Sequence, residues 1–145
     1  MHWKELKNQI YFEDGTLRDI YVLNTNIEDW EKWVDMVNKK YRVEFWDGKT
    51  DLKTDRIDFV TVKEYWDLNG QRETITATIY LGSITVNCHF FDDSEIENDI
   101  DPREFKSEDD HIKLIHYLND ISISLGREVI VTDESIRDSV LIRKQ

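Results

Sequence analysis

Apolar and polar residues alternate along much of the chain, a pattern that predicts a largely β-sheet protein. The clearest case is 75–81, where Ile, Ala, Ile and Leu alternate with Thr and Tyr, as in a strand with one buried face. Residues 84–91 repeat the alternation after a short turn. Asp-Gly and Asn-Gly pairs lie between several such runs and predict tight antiparallel turns. Further strands are predicted at 9–13, 17–23, 41–47, 56–68, 127–134 and 139–144.

Two longer segments follow a helical period instead. The first carries an apolar stripe with spacings of three and four residues and has Thr25 or Asn26 as its N-cap. That stripe consists of Ile27, Trp30, Val34, Val37 and Tyr41, and Trp33 and Met36 flank it. The second is predicted to run from a Ser107 cap to Gly126, with a stripe of Ile112, Ile115, Leu118, Ile121 and Leu125 widened by Leu114. A short helix is predicted at 1–9.

These elements predict an α+β fold in one domain, residues 1–145. An antiparallel meander of six to eight strands would carry two main helices on one of its faces. The chain has one cysteine, no apolar leader segment and no apolar run long enough to cross a bilayer, so a cytoplasmic location is expected.

The net charge of the chain limits the classes of molecule that it is expected to bind. The chain has 31 acidic and 19 basic residues, a formal charge of −12, and an aromatic content of 12% that disfavours disorder. Nucleic acid and anionic membranes are disfavoured as partners because both attract basic surfaces. A basic protein partner is favoured, and the chain is expected to be a monomer.

Acidic residues are concentrated in one stretch. Between Asp92 and Asp110 there are ten acidic side chains and two basic ones, and 92–106 is predicted to be a long loop. Ile96, Ile100 and Phe105 could anchor it to the body of the protein. The predicted partner-binding residues are Asp92, Asp93, Glu95, Glu97, Asp99, Asp101, Asp109 and Asp110. A solvated loop without a partner, or a loose cation site at Asp99, Asp101 and Glu104, are the alternatives.

Catalytic chemistry finds little support in the sequence. No phosphate-binding loop, nucleophile elbow, H-E-x-x-H or paired C-x-x-C motif occurs, so no cofactor, metal site or enzymatic activity is expected. Cys88 and His89 are neighbours on a predicted strand and would face opposite sides of the sheet. The alternative hypothesis is a small-molecule site or an unrecognised enzyme with a cleft lined by Trp30, Trp33, Trp46 and Trp66.

Two stretches carry a resemblance to a known class. "YFEDGTLRDIYVLNTNIEDWEKWVDMVN" and "LIHYLNDISISLGREVIVTDES" resemble small bacterial immunity proteins that are encoded beside polymorphic or contact-dependent toxins. The resemblance implies a cytoplasmic α+β domain that binds a cognate toxin domain, frequently a nuclease, and blocks its active site or an adjacent surface. No catalytic residues carry over from such a class. The resulting hypothesis is an acidic protein that neutralises a basic toxin.

Overall fold

The computed structural model describes residues 2–145 and has one antiparallel sheet of eight strands, which confirms the α+β fold. The strands are β1 Arg18–Leu23, β2 Arg42–Asp47, β3 Leu52–Thr54, β4 Ile75–Leu81, β5 Ile84–Cys88, β6 Glu95–Ile100, β7 Val129–Asp133 and β8 Ile136–Lys144. The helices are α1 Trp3–Gln9, α2 Ile27–Lys40, α3 Phe59–Asp67 and α4 Glu108–Leu125, with a 3-10 turn at Pro102–Glu104.

Strand order departs from a simple meander. The order is β3-β2-β4-β5-β6-β1-β7-β8, so β1 lies between two strands that follow it late in the chain. Arg18 is paired with Ile100 on one side and with Asp133 on the other. The meander prediction therefore holds from β4 to β6 and fails at β1, because its partners are remote in sequence.

Helices α2 and α4 pack on one face of the sheet, as expected. Trp30, Val34 and Val37 of α2 and Leu118 and Ile121 of α4 belong to the same buried core as the inward residues of the strands. Trp33 and Met36 are buried as well, so the apolar stripe of α2 is wide.

The ends of the two helical stripes were predicted wrongly. Ile27 and Ile112 are 40% and 43% exposed. Ile27 is the first residue of α2 and Ile112 lies near the start of α4, whereas Leu114, Leu118, Ile121 and Leu125 are buried as predicted and Tyr117 joins them. Asn26 is the N-cap of α2 and forms a capping box with Asp29.

Helix α3 replaces the strand predicted at 56–68. The carboxylate of Asp58 accepts a hydrogen bond from the backbone N–H of Val60 at 3.1 Å and so caps the first turn. Val62 is fully buried, and Trp66 packs edge-to-face on Trp30 with ring centroids 5.1 Å apart. Capping and these aromatic contacts outweigh the β-propensity of the segment.

The N-terminal hairpin was also predicted wrongly, because residues 10–17 form no strand. The buried guanidinium of Arg18 donates from Nε to the carbonyl of Ile10 at 2.8 Å and from Nη2 to that of Phe12 at 2.7 Å. These carbonyls have a side-chain donor in place of a partner strand. The short helix expected before this segment is α1, and Met1 lies outside the described residues.

The acidic segment, predicted to be a long loop, contains β6 in the middle of the sheet. Its burial alternates, with Ile96, Asn98 and Ile100 buried and Glu95, Glu97 and Asp99 partly exposed. Ile96, Ile100 and Phe105 anchor the segment to the core, as expected. Every second residue of β6 is therefore a carboxylate, Glu95, Glu97 or Asp99, with a fixed position on the outer face of the sheet.

The single cysteine of the chain lies in the core. Cys88 is fully buried, and burial raises the pKa of its thiol. Within residues 2–145, none of the helices combines the length and apolar character needed to cross a membrane.

Candidate functional site

The side of the sheet that faces away from the helices carries four carboxylates on adjacent strands. We call Asp19 of β1 and Glu95, Glu97 and Asp99 of β6 the acidic face. Antiparallel pairing places Asp19 directly opposite Asp99, with Tyr21 opposite Glu97. Side chains that are directly opposite project to the same face, so the four carboxylates form one surface.

Few basic side chains neutralise the negative charge of the acidic face. Arg137 of β8 donates from Nη2 to Glu95 Oε1 at 2.6 Å, and its guanidinium lies over the Tyr21 ring at 5.1 Å. His89 Nε2 is 3.4 Å from Asp99 Oδ2, and the hydrogen bond to Asp99 raises the pKa of His89. Among residues 2–145 these are the basic side chains within 4 Å of the acidic face.

Burial makes two of these carboxylates unfavourable as anions: Asp19 is only 6% exposed, and Glu97 is partly buried. Burial raises the pKa of Glu97, and the charges of Asp19 and Glu95 add to the rise. Burial likewise raises the pKa of Asp19, although Ser135 N–H donates to its Oδ2 at 2.7 Å and Tyr21 donates to it at 3.1 Å. The acidic face would gain from an additional cation, since like charges that are close and partly dehydrated repel one another.

The other predicted contact residues lie away from the acidic face. Asp101 caps the 3-10 turn and binds Arg103 at 2.7 Å, and Asp109 is exposed in the first turn of α4. Asp110 is buried, and its carboxylate accepts hydrogen bonds from Ser83 and from the backbone of Lys106, a structural arrangement. The structure therefore divides the eight predicted residues among several places.

Sequence reasoning missed Asp19, Tyr21 and Arg137 as parts of this surface. They are remote from β6 in the chain, and only strand pairing brings them to it. The alternation E-I-E-N-D-I in 95–100 was the signal that could have placed β6 in the sheet.

Asp92 and Asp93 lie beside a notch at the start of β6. The notch has a volume of about 250 Å³. It is lined by the C-terminal end of α3 and by the segment before β6: Tyr65, Trp66, Asp67, Asn69, Gly70, Phe91, Asp92 and Asp93.

A cleft lined by the four tryptophans is not present in residues 2–145. Trp30 and Trp33 are buried and pack edge-to-face with centroids 5.4 Å apart, and Trp66 joins them from α3. Trp46 lies elsewhere and donates to Asp51 at 2.9 Å. Nor does any group of three or more His, Cys, Asp or Glu residues in that range have a geometry that could hold a metal ion.

Comparisons with known proteins are informative for the fold. No family model and no curated protein matches this sequence. The structure matches one chain of the crystal structure of the toxic C-terminal tip of CdiA from Pseudomonas aeruginosa in complex with immune protein. The TM-score is 0.52 at 9% identity, over 88% of this chain and 94% of that one. The two chains share a fold. That crystal structure contains a toxin tip and its immune protein, and at 9% identity the likeness to one of its chains concerns the fold alone.

Proposed function

We propose that this chain is an immunity protein that binds a cognate toxin domain and neutralises it. The observation that carries the proposal is the fold shared with a chain of a complex between a toxin tip and its immune protein. The resemblance of the sequence to immunity proteins supports the same conclusion independently of the fold.

Charge supports the immune role and indicates the kind of toxin. With a formal charge of −12, the chain would attract a basic protein and accelerate its association. Toxins that cleave nucleic acids need basic surfaces for their substrates, so a nuclease domain is the partner that this chain would fit best.

The acidic face is the surface proposed for this contact. Its carboxylates are fixed by strand pairing, have few internal cations and are partly dehydrated before any partner arrives. Arginine side chains of a toxin could form charge-assisted hydrogen bonds with the partly exposed Glu95, Glu97 and Asp99 at little cost in ordering these acids. In this proposal the protein acts by covering the toxin and performs no chemistry of its own.

Co-expression tests the proposal. The C-terminal domain of the protein encoded immediately upstream is produced from an inducible promoter, with or without this chain. We expect growth arrest by the domain alone, rescue by this chain, and co-purification of the two proteins. A toxic domain that this chain neither binds nor neutralises, or an upstream gene that encodes no toxin, would refute the proposal.

A further inference from the structure

The notch beside Asp92 and Asp93 is held open by hydrogen bonds on both of its sides. On one side, Trp66 Nε1 donates to the carbonyl of Phe90 at 2.8 Å. On the other side, the carbonyl of Asp93 accepts from Thr25 Oγ1 at 2.8 Å and from Trp30 Nε1 at 3.1 Å. The walls are therefore fixed before any ligand binds, which lowers the entropic cost of binding.

The backbone at this notch is strained. Phe90 has a φ of 56°, in the left-handed region that bulky side chains rarely adopt. This conformation coincides with a buried Phe90 and with a neighbouring Phe91 that is 63% exposed. Strain of this kind persists where the surrounding structure imposes it, and it is concentrated at binding sites.

The electrostatics of the notch favour a cation. Asp67, Asp92 and Asp93 line it, and in residues 2–145 none of them has a basic side chain within 4 Å, unlike Asp47 or Asp101. The last turn of α3 also lines the notch, and the C-terminal end of a helix dipole is negative.

The aromatic side chains and the size of the notch narrow the choice of cation. Tyr65, Trp66 and Phe91 line the notch next to the carboxylates, and its volume of about 250 Å³ is smaller than a typical small-molecule pocket. A planar guanidinium can stack on an aromatic ring while it donates to carboxylates, which a lysine ammonium does less well.

We propose that the notch formed by the end of α3 and residues 91–93 binds one arginine side chain of a partner protein. For the identity of that partner, a toxin, the inference rests on the proposed function. The arginine would place its guanidinium over Phe91 and donate to the carboxylates of Asp92 and Asp93. The notch would thus act as an anchoring pocket beside the acidic face.

A titration that uses no toxin tests this proposal. Isotope-labelled protein is titrated with N-acetyl-arginine amide while backbone amide resonances are followed by NMR. We expect saturable shifts at Asn69, Gly70, Phe91 and Asp92. N-acetyl-citrulline amide, which has nearly the same shape without the charge, should leave these resonances unchanged.

Matched variants sharpen the test. Phe91→Ala should weaken binding of the arginine amide roughly two- to fivefold through loss of the cation–π contact. Asp92→Asn keeps an oxygen that can accept from Ser94 N–H but removes the charge, and it should weaken binding too. Asp109→Asn removes a charge near the other end of β5, where Ser83 binds Asp110, and should have no effect.

Three results would overturn the proposal: equal shifts with citrulline amide, no saturable shift at the notch, or equal effects of Asp92→Asn and Asp109→Asn. If any of these results is obtained with a protein that still neutralises its toxin, arginine binding by the notch is refuted and the proposed function is not. Specific arginine binding in a protein that neutralises no toxin would refute the proposed function and leave the notch assignment standing.

Discussion

Glu97 shows how a single residue on the acidic face opposes folding. Its pKa is raised by burial, so its folded form binds a proton more tightly than its unfolded form. Stability is therefore lost as the pH rises from the unfolded pKa through the raised folded pKa, and the charged group is destabilising above both. Asp19 behaves in the same way. Acids in such positions are typical of surfaces that are selected for binding.

We expect Glu97→Gln to raise the melting temperature near neutral pH, because the neutral amide avoids the cost of a partly buried anion. The gain should vanish at about pH 3, where the wild-type carboxyl is protonated as well. Thermal denaturation at both pH values provides the measurement. Glu31→Gln, an exposed site on α2, is the matched control and should change stability by less than about 0.5 kcal/mol. A lower melting temperature for Glu97→Gln near neutral pH would contradict the argument.

Two histidines should give opposite pH dependences of stability. Burial lowers the pKa of His111, whose Nδ1 is 2.6 Å from the Tyr11 hydroxyl. Its contribution to the free energy of unfolding is therefore lost as the pH falls below 6.5. The hydrogen bond to Asp99 raises the pKa of His89, so its contribution is present below 6.5 and is lost as the pH rises through the folded pKa.

Denaturant unfolding of wild type, His89→Gln and His111→Gln between about pH 5 and 8 measures this difference. The deficit of His89→Gln relative to wild type should shrink with rising pH, and that of His111→Gln should shrink with falling pH. Parallel curves for the two variants would contradict the assigned environments.

Individual residues were predictable where local pattern decides their environment. Glu95, Glu97 and Asp99 were named as contact residues from the density of acids alone, whereas Asp19 and Arg137 were not. Asp19 belongs to the acidic face because β1 pairs with β6, and Arg137 contacts that face because it extends from β8 to Glu95. No periodicity within one segment contains that information.

At the scale of elements, the segments with regular periodicity were predicted well. The alternation of 75–81 and the stripe of α2 depend on local sequence, and β4 and α2 have nearly the expected bounds. Helix α3 and β6 were predicted wrongly because tertiary contacts outweigh their local composition. As part of a helix, Val62 enters the core and Trp66 packs against it, and β6 brings Ile96 and Ile100 into the core from among acids.

Helix α3 depends on its cap. Asp58→Ala removes the acceptor for Val60 N–H and for Thr61 Oγ1, and we expect the free energy of unfolding to fall by about 0.5–2 kcal/mol. Denaturant unfolding gives the value. Asp55→Ala, an exposed acid in the preceding loop, should be close to wild type. Equal effects of the two substitutions would show that the cap does not hold the helix.

At the scale of the whole molecule, the field of the protein should govern association with a toxin. We expect the double variant Glu97→Gln/Asp99→Asn to bind its toxin on the order of tenfold more slowly at low salt, with a smaller difference at high salt. Stopped-flow association at several salt concentrations measures this effect.

The matched control is Glu31→Gln/Asp35→Asn, which removes the same two charges from the exposed side of α2. If the two double variants slow association equally, net charge alone acts and the acidic face has no special role.

The fold class itself was predictable from the number and type of periodic segments. Strand order was not, because nothing in 17–23 indicates that its neighbours come from the second half of the chain.

The position of β1 has a consequence for protein synthesis. Its two neighbours are β6 and β7, so β1 cannot pair until Ile100 and then Asp133 have been translated. At a translation rate of about 5–20 residues per second, the delay before Ile100 is made is roughly 4 to 16 seconds. During that time both hydrogen-bonding edges of an apolar strand are open on the nascent chain, a state that invites chaperone binding. Under the proposed function, neutralisation of a toxin would begin only once the last third of each new molecule has left the ribosome.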